Sequence, residues 1–220
     1  MSGPRTRLCD AETLSSACSD LAATEPVFAR LIERNGVPPL WRREASYATI
    51  VRLILEQQVS LASATAAYAR LAQRVGDVTP EAILSSTDAE LRADGFSRQK
   101  AGYVRDIATA VVDGSFDPAA VASDRDEAVT ALLALRGVGP WTASCYALFA
   151  MGEQDVWPTG DRALHVAVAR VFELASVPTT GEAEALARAW SPYRSAAARM
   201  LWHDYLGGAA YTVSEDAGVL

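Results

Sequence analysis

The sequence predicts an all-α protein. Three observations carry that prediction. Apolar residues recur at helical spacing almost throughout, no alternating Val/Ile/Thr run is bounded by hairpin turns, and capping residues, Pro and Gly fall where helices start and stop. Half of the 220 residues are hydrophobic, enough for a sizeable core in one domain or two small lobes. No apolar run approaches the roughly 18 residues of a membrane span, and the N-terminus has no signal-peptide pattern. A cytoplasmic protein without a membrane partner is therefore expected.

The elements follow in order. Residues 1–24 lack a clear period and are expected to be loosely ordered. Glu25–Asn35 reads as a short helix stopped by Gly36 and Pro38-Pro39. Ala45–Gln57 carries a helical stripe at 47, 50, 51, 54 and 55. Ser60 can cap a helix to Val75, which leaves Gln57-Gln58-Val59 at the junction. Thr79-Pro80-Glu81 starts a short helix, and Thr87-Asp88 starts another closed by Gly95. Ser97 caps a long helix to Val112, closed by Gly114. Helices over Asp124–Leu135, Pro140–Met151, Asp161–Leu174, Gly181–Trp190 and Pro192–Leu206 follow. There is no repeat, linker or low-complexity segment.

Charge and cysteine content narrow the chemistry. Cys9, Cys18 and Cys145 have no metal-type spacing and no disulfide framework, so no metal site is expected. The formal charge of −7 argues against nucleic acid as a partner at first sight. A local patch can still bind phosphate on an acidic protein. The acidic stretches lie at the start of the Asp124–Leu135 helix and after Thr212, whereas Arg92, Arg98, Lys100 and Arg105 face only Asp94 in their segment. Those four can touch phosphate or form a solvated helix face.

The most informative stretch is Leu135-Arg-Gly-Val-Gly-Pro-Trp-Thr-Ala143. Gly137 and Gly139 permit unusual backbone angles and leave the main chain uncovered. Pro140 suits the first turn of the next helix. The result is a helical hairpin whose amides face out at a helix N-terminus, a seat for phosphate. Asp161 opens a second helix after Pro158-Thr159-Gly160, 22 positions beyond Gly139 (161 − 139). As a residue type, Asp after Gly is equally a helix N-cap.

These residues resemble the helix-hairpin-helix DNA glycosylase superfamily, most closely its alkylation-repair branch of 3-methyladenine DNA glycosylase II. The branch has Leu-x-Gly-Val/Ile-Gly, then Trp-Thr-Ala, then Asp-Val-Phe/Trp-Pro and an aspartate about two dozen residues on. Three further segments match it: Ile54-Leu-Glu-Gln-Gln-Val-Ser60, Gly95-Phe-Ser-Arg-Gln-Lys-Ala101, and Trp190-Ser-Pro-Tyr-Arg-Ser followed by Trp202, eight residues after Arg194 (202 − 194). The likeness covers about residues 40–207.

The resemblance implies a two-lobed helical glycosylase fold. A central lobe carries the hairpin at 135–142, the N- and C-terminal helices form the other lobe, and a flipped base lies in the cleft. One helical domain over 25–207 is expected, with a tail at 208–220. The β-rich N-terminal domain of larger members is expected to be missing or reduced to a stub. The iron–sulfur cluster of endonuclease III relatives needs four cysteines near the C-terminus, and none follows Cys145.

Carried over by motif, Asp161 is the catalytic carboxylate. Gly137, Val138, Gly139, Trp141, Thr142 and Gln58 meet DNA, with Gln58 entering the helix where the base leaves and Gln57 holding the turn. Trp202, Trp141 and Trp157 line the base pocket. An electron-rich ring attracts a cationic methylated purine by roughly 0.5–2 kcal/mol, although each tryptophan also fits a helix core. In lyase members a lysine stands where this chain has Trp141, so a monofunctional enzyme that uses water is implied. The departures are Glu56, at a position where a small residue is usual, and Cys145, where some relatives place a pocket tyrosine. The expected partner is damaged double-stranded DNA and the expected state a monomer associated with the nucleoid when bound. No cofactor is required, with room for a monovalent cation at the hairpin carbonyls. The rival readings are a glycosylase for oxidised or mismatched bases and a non-catalytic helix-hairpin-helix DNA-binding module.

Overall fold

The computed structural model describes residues 7–122 and 125–208. Among them are α1 (Ala11–Thr24), α2 (Pro26–Asn35), α3 (Tyr47–Glu56), α4 (Leu61–Val75), α5 (Pro80–Ser85), α6 (Asp88–Asp94), α7 (Arg98–Val112), α8 (Pro118–Val121), α9 (Arg125–Ala134), α10 (Pro140–Phe149), α11 (Arg162–Val171), α12 (Thr180–Ala187) and α13 (Arg194–Leu206). A 3-10 turn, Arg188–Trp190, follows α12. The described residues contain no strand, only an isolated bridge between Arg7 and Glu153. None of their helices is long and apolar enough to cross a membrane. The expected all-α class is what the chain adopts.

The described chain divides into two compact units. One joins both ends, 7–42 with 152–208, and the other is the intervening stretch from Arg43 to Met151. That is the topology the resemblance implied, in which first and last helices share a lobe.

In the intervening unit, α3 and α10 are the core helices. Tyr47, Ile50, Val51, Leu53, Ile54 and Leu55 are buried on α3, and almost every residue from Thr142 to Phe149 is buried on α10. A helix apolar on all sides must be surrounded, and α3 packs against α4, α7 and α10. Caps set the register of the outer helices. Ser60, Thr79, Thr87 and Ser97 each accept the amide of the residue three on, as their residue types predict.

In the unit made of both ends, α13 is the core, with every residue from Ser195 to Asp204 buried. The run Ala196-Ala197-Ala198 lets neighbouring backbones approach. Around α13 lie α1, α2 and α11.

The expectation that 1–24 is loosely ordered is corrected for 11–24. Asp10 and Thr13 form a capping box, with the Thr13 amide donating to Asp10 Oδ1 at 2.8 Å and the Asp10 amide to Thr13 Oγ1 at 3.1 Å. Leu14, Ala17, Cys18 and Leu21 make a buried i, i+3, i+4, i+7 stripe. Two of its four members are small, so the period is faint in the sequence. Residues 1–6, Asp124 and most of the 208–220 tail lie outside the described residues. Other differences are local. Single-turn α8 starts at an Asp117 cap with Pro118 in its first turn, a signal the sequence reading passed over; α11 ends at Val171, and α13 starts at Arg194 after a cis Ser191–Pro192 bond.

Candidate active site and nucleic-acid interface

The hairpin between α9 and α10 is a tight turn closed by Val138 N–H donating to Leu135 O at 3.1 Å. Its two glycines are there for different reasons. Gly137 has φ +89°, and a Cβ there would lie 2.2 Å from Cγ of Tyr103 on α7. Backbone and space both demand glycine. Gly139 has φ −98° and ψ −179°, ordinary extended backbone, and its Cβ would meet nothing within 4 Å. No contact within the described chain requires glycine at 139. Gly139 is the N-cap of α10 and supplies no capping side chain, with Pro140 in the first turn. Gly139 thus offers no side chain that would stand between the start of α10 and an anion. Val138 is buried and Trp141 half-buried.

Beside the hairpin lies the α3–α4 junction. Gln57 donates from Nε2 to Gly137 O at 2.8 Å and to Thr142 Oγ1 at 2.9 Å. Gln57 therefore holds the turn, as its position implied. Thr142 is corrected: it is buried, and its hydroxyl serves Gln57 rather than facing outward. Gln58 is exposed and has φ +57°, a left-handed conformation uncommon for a residue with a side chain. Next to it Val59 is 48% exposed. An exposed apolar side chain beside a candidate wedge is the kind that unstacks bases. Sequence reasoning passed over Val59 because a lone valine between helices looks ordinary.

The basic segment on α6 and α7 is also corrected in part. Lys100 Nζ donates to Leu55 O and Gln57 O, each at 2.8 Å, and burial pulls its ammonium below the usual lysine range. Arg105 donates to Ser86 O at 2.6 Å and to Asp88 at 3.1 Å. Of the four, only Arg92 and Arg98 are exposed. Glu56 takes a bidentate bond from Arg43, at 2.7 and 3.2 Å, with Arg52 at 3.5 Å. Burial pushes Glu56 up to about 7 against the pull of those arginines.

Asp161 lies in the other unit. The Pro158-Thr159-Gly160 turn closes through Asp161 N–H donating to Pro158 O at 3.3 Å, with Gly160 at φ +77°. Asp161 caps α11: its Oδ1 accepts the Leu164 amide at 2.8 Å. The same oxygen accepts Trp202 Nε1 at 3.3 Å. Asp161 is 9% exposed, so a carboxylate sits almost buried at a helix N-terminus with an indole donor on it. One turn later, His165 is buried and held below the usual histidine range by desolvation, against the attraction of Asp161.

Two of the three expected pocket aromatics, Trp157 and Trp202, take distinct places in this unit, while Trp141 belongs to the unit of the hairpin. Trp202 is 2% exposed on α13 and is tied to Asp161. Trp157 packs edge-on against Trp190 at 5.3 Å, within an aromatic cluster that includes Phe28 and Phe172. Its buried Nε1 has no partner among the described residues. Neighbouring His203 stands edge-on to Trp41 at 6.3 Å. The Trp190–Ser195 motif has a further role that the sequence did not disclose. Arg194 grips Asp155 at 2.7 and 2.9 Å, Ser191 adds a bond at 2.9 Å, and Ser195 Oγ accepts the Val156 amide at 3.0 Å. Burial alone would raise Asp155, but Arg194 and Ser191 outweigh it and hold the carboxyl below its usual range. The motif thus anchors the segment that leads into Asp161.

Comparison with known proteins agrees with this geometry. The model of the HhH-GPD superfamily base excision DNA repair protein matches residues 51–192. YfjP of Bacillus subtilis, named provisionally as a DNA-3-methyladenine glycosylase, is 28% identical over 184 residues. That match takes in 80% of this chain and 64% of YfjP, so the chain spans just under two thirds of that relative's length. The alkylbase DNA glycosidase-like protein mag2 of Schizosaccharomyces pombe is 29% identical over 164 residues, covering 72% of this chain and 77% of mag2. Among solved structures, the 3-methyladenine DNA glycosylase Mag1 of the same yeast, in complex with abasic DNA, superposes with a TM-score of 0.80 at 25% identity. It covers 90% of this chain and all of Mag1.

Proposed function

The chain belongs to the HhH-GPD superfamily of base excision DNA repair proteins, and from that premise we propose that it is a monofunctional DNA glycosylase that excises alkylated bases, 3-methyladenine-like purines, from duplex DNA. The observation that carries the reading is the setting of Asp161. A nearly buried carboxylate receives an amide and an indole N–H on one oxygen, on a segment pinned by Arg194 and Ser195. A protein that only holds DNA would need this carboxylate for nothing beyond capping α11. The names of YfjP, mag2 and Mag1 point to the same substrate class.

The chemistry follows from the charges. The C1′–N bond breaks with its electron pair leaving on the base, and positive charge builds on the sugar. Methylated purines already carry positive charge, so the leaving group departs neutral. Asp161 stabilises the sugar cation and orients the water that adds to C1′; the water's proton passes to the carboxylate or to solvent. The amides of Gly137 and Gly139 and the start of α10 bind backbone phosphate and fix register without reading sequence, while the Val138 amide closes the turn. Gln58 fills the place of the extruded nucleotide. Trp202, bonded to Asp161, gives the base an aromatic environment.

A lyase would need an amine to attack the sugar. Lys100 is the sole lysine of the chain, and its amine is committed to two backbone carbonyls. That supports hydrolysis by water. A monovalent cation fits the hairpin only through second lone pairs. The carbonyls of Leu135, Gly137 and Gly139 each already accept a hydrogen bond, from Val138, Gln57 and Ala143. It would steady the turn, and no step depends on it. The protein acts as a soluble monomer on chromosomal DNA.

Duplexes bearing single defined lesions test the function. Free methylpurine and an abasic product that breaks only with alkali or heat are expected. A covalent DNA adduct trapped by borohydride would refute the monofunctional reading.

A further inference from the structure

Lys100 stands where a nucleic-acid reading would put a phosphate contact, yet its ammonium is turned inward. It bridges Leu55 O and Gln57 O at 2.8 Å each. These carbonyls end α3, where a cation is favoured by the helix dipole and satisfies acceptors the helix leaves open. The residue after Gln57 is Gln58, in the left-handed conformation at φ +57°. Such backbone persists where its surroundings over-determine it. Gln57 is fixed twice, its main chain by Lys100 and its side chain by Gly137 O and Thr142 Oγ1. The other end of the same device is also on α7. Tyr103, one turn beyond Lys100 on the same face, fills the space that a side chain at Gly137 would need. One face of α7 thus supports the exposed Gln58 turn and the hairpin together.

We propose that Lys100 is a positioning residue for base flipping: it locks the Gln58 turn in register with the hairpin and makes no contact with DNA. The inference rests on the reading of Gln58 as the group that replaces the flipped nucleotide. A lysine is suited to the task because three donors on a long stem can span two carbonyls.

The test uses the whole protein and a duplex with a tetrahydrofuran abasic analogue opposite 2-aminopurine. No base release is needed, so failure of the glycosylase reading is seen separately in the lesion assay. In Lys100→Met, the preference for abasic over intact duplex is expected to fall about tenfold, or about 1.4 kcal/mol. The 2-aminopurine signal change is expected to be lost with it. The salt dependence of intact-duplex binding should stay at the wild-type slope. A slope lower by about 0.9 would make Lys100 a phosphate contact and overturn the proposal. So would an unchanged abasic preference, and so would a wild type with no such preference. Lys100→Cys alkylated with 2-bromoethylamine restores an amine at nearly the same reach and should regain the preference. Wild type treated alongside controls for exposed Cys9. A rescue that fails while treated wild type is unaffected also overturns the proposal.

Discussion

Alanine at Gly137 and at Gly139 should separate folding from DNA binding. At Gly137 a methyl would sit 2.2 Å from Tyr103 Cγ and 2.8 Å from its Cβ, on backbone with φ +89°. Left-handed backbone costs an ordinary residue about 1–2 kcal/mol, and overpacking adds about 1–3 kcal/mol. The sum, about 2–5 kcal/mol, is lowered where Tyr103 can swing outward, since it is only half-buried. At Gly139 the backbone is extended and the methyl meets nothing within 4 Å. There alanine gains about 0.4–1 kcal/mol through the unfolded chain, offset by its being a poorer N-cap of α10 than glycine, so stability should change little. If phosphate approaches this bare backbone, the same methyl displaces it. Losing a hydrogen bond to a charged group costs about 1.5–3 kcal/mol, roughly 10- to 150-fold in affinity. Thermal melting and fluorescence anisotropy with damaged and undamaged duplexes read both effects. Gly139→Ala should melt as wild type does and bind both duplexes equally weakly. A stable Gly139→Ala with wild-type affinity would show that the hairpin backbone is not the phosphate seat. A Gly137→Ala as stable as wild type would show that the Tyr103 contact yields freely.

Asp161→Asn should keep the fold, because Asn caps α11 about as well as Asp, and slow single-turnover excision by about 10²–10³-fold. Excision at the wild-type rate would reduce Asp161 to a cap. Trp202→Phe retains a ring but removes the 3.3 Å donation to Asp161; it should slow every lesion to a similar degree, whereas Trp202→Ala should change the order of preferred lesions. Lesion-by-lesion rates decide between the two effects. Burial holds both histidines, His165 and His203, below the usual value of 6.5. Their neutral forms therefore contribute stability above about pH 6.5, and it is lost as pH falls through the folded values, where the unfolded state binds more protons. Imidazole NMR shifts of untagged protein should show both rings neutral below pH 6.5, and protonation of either at or above that value would overturn the assignment.

Much of the candidate site was legible in local sequence because local rules govern it. Gly-Val-Gly-Pro specifies a tight turn and a helix start whatever surrounds it, and Asp161 is an N-cap by residue type and position. The caps at Ser60, Thr79, Thr87 and Ser97 are likewise choices made within three residues. Gln57 could be named as the residue that holds its turn, but not its partners, Gly137 and Thr142, some 80 positions on. α1 was missed because alanine and cysteine carry a weak apolar signal, and only burial against α2 and α13 reveals the stripe. Composition made Lys100 a charge available to phosphate; packing of α7 against α3 turned it into a brace. Gly137 and Gly139 are the same letter, and only the left-handed backbone at 137 and its contact with Tyr103 distinguish them. By itself the sequence determined helix ends, turns and the order of motifs, since these depend on residues adjacent in the chain. The direction in which Lys100, Thr142 and Trp202 point was decided by tertiary structure, because a polar group's partner, once water is excluded, is whichever distant atom the packing brings within reach.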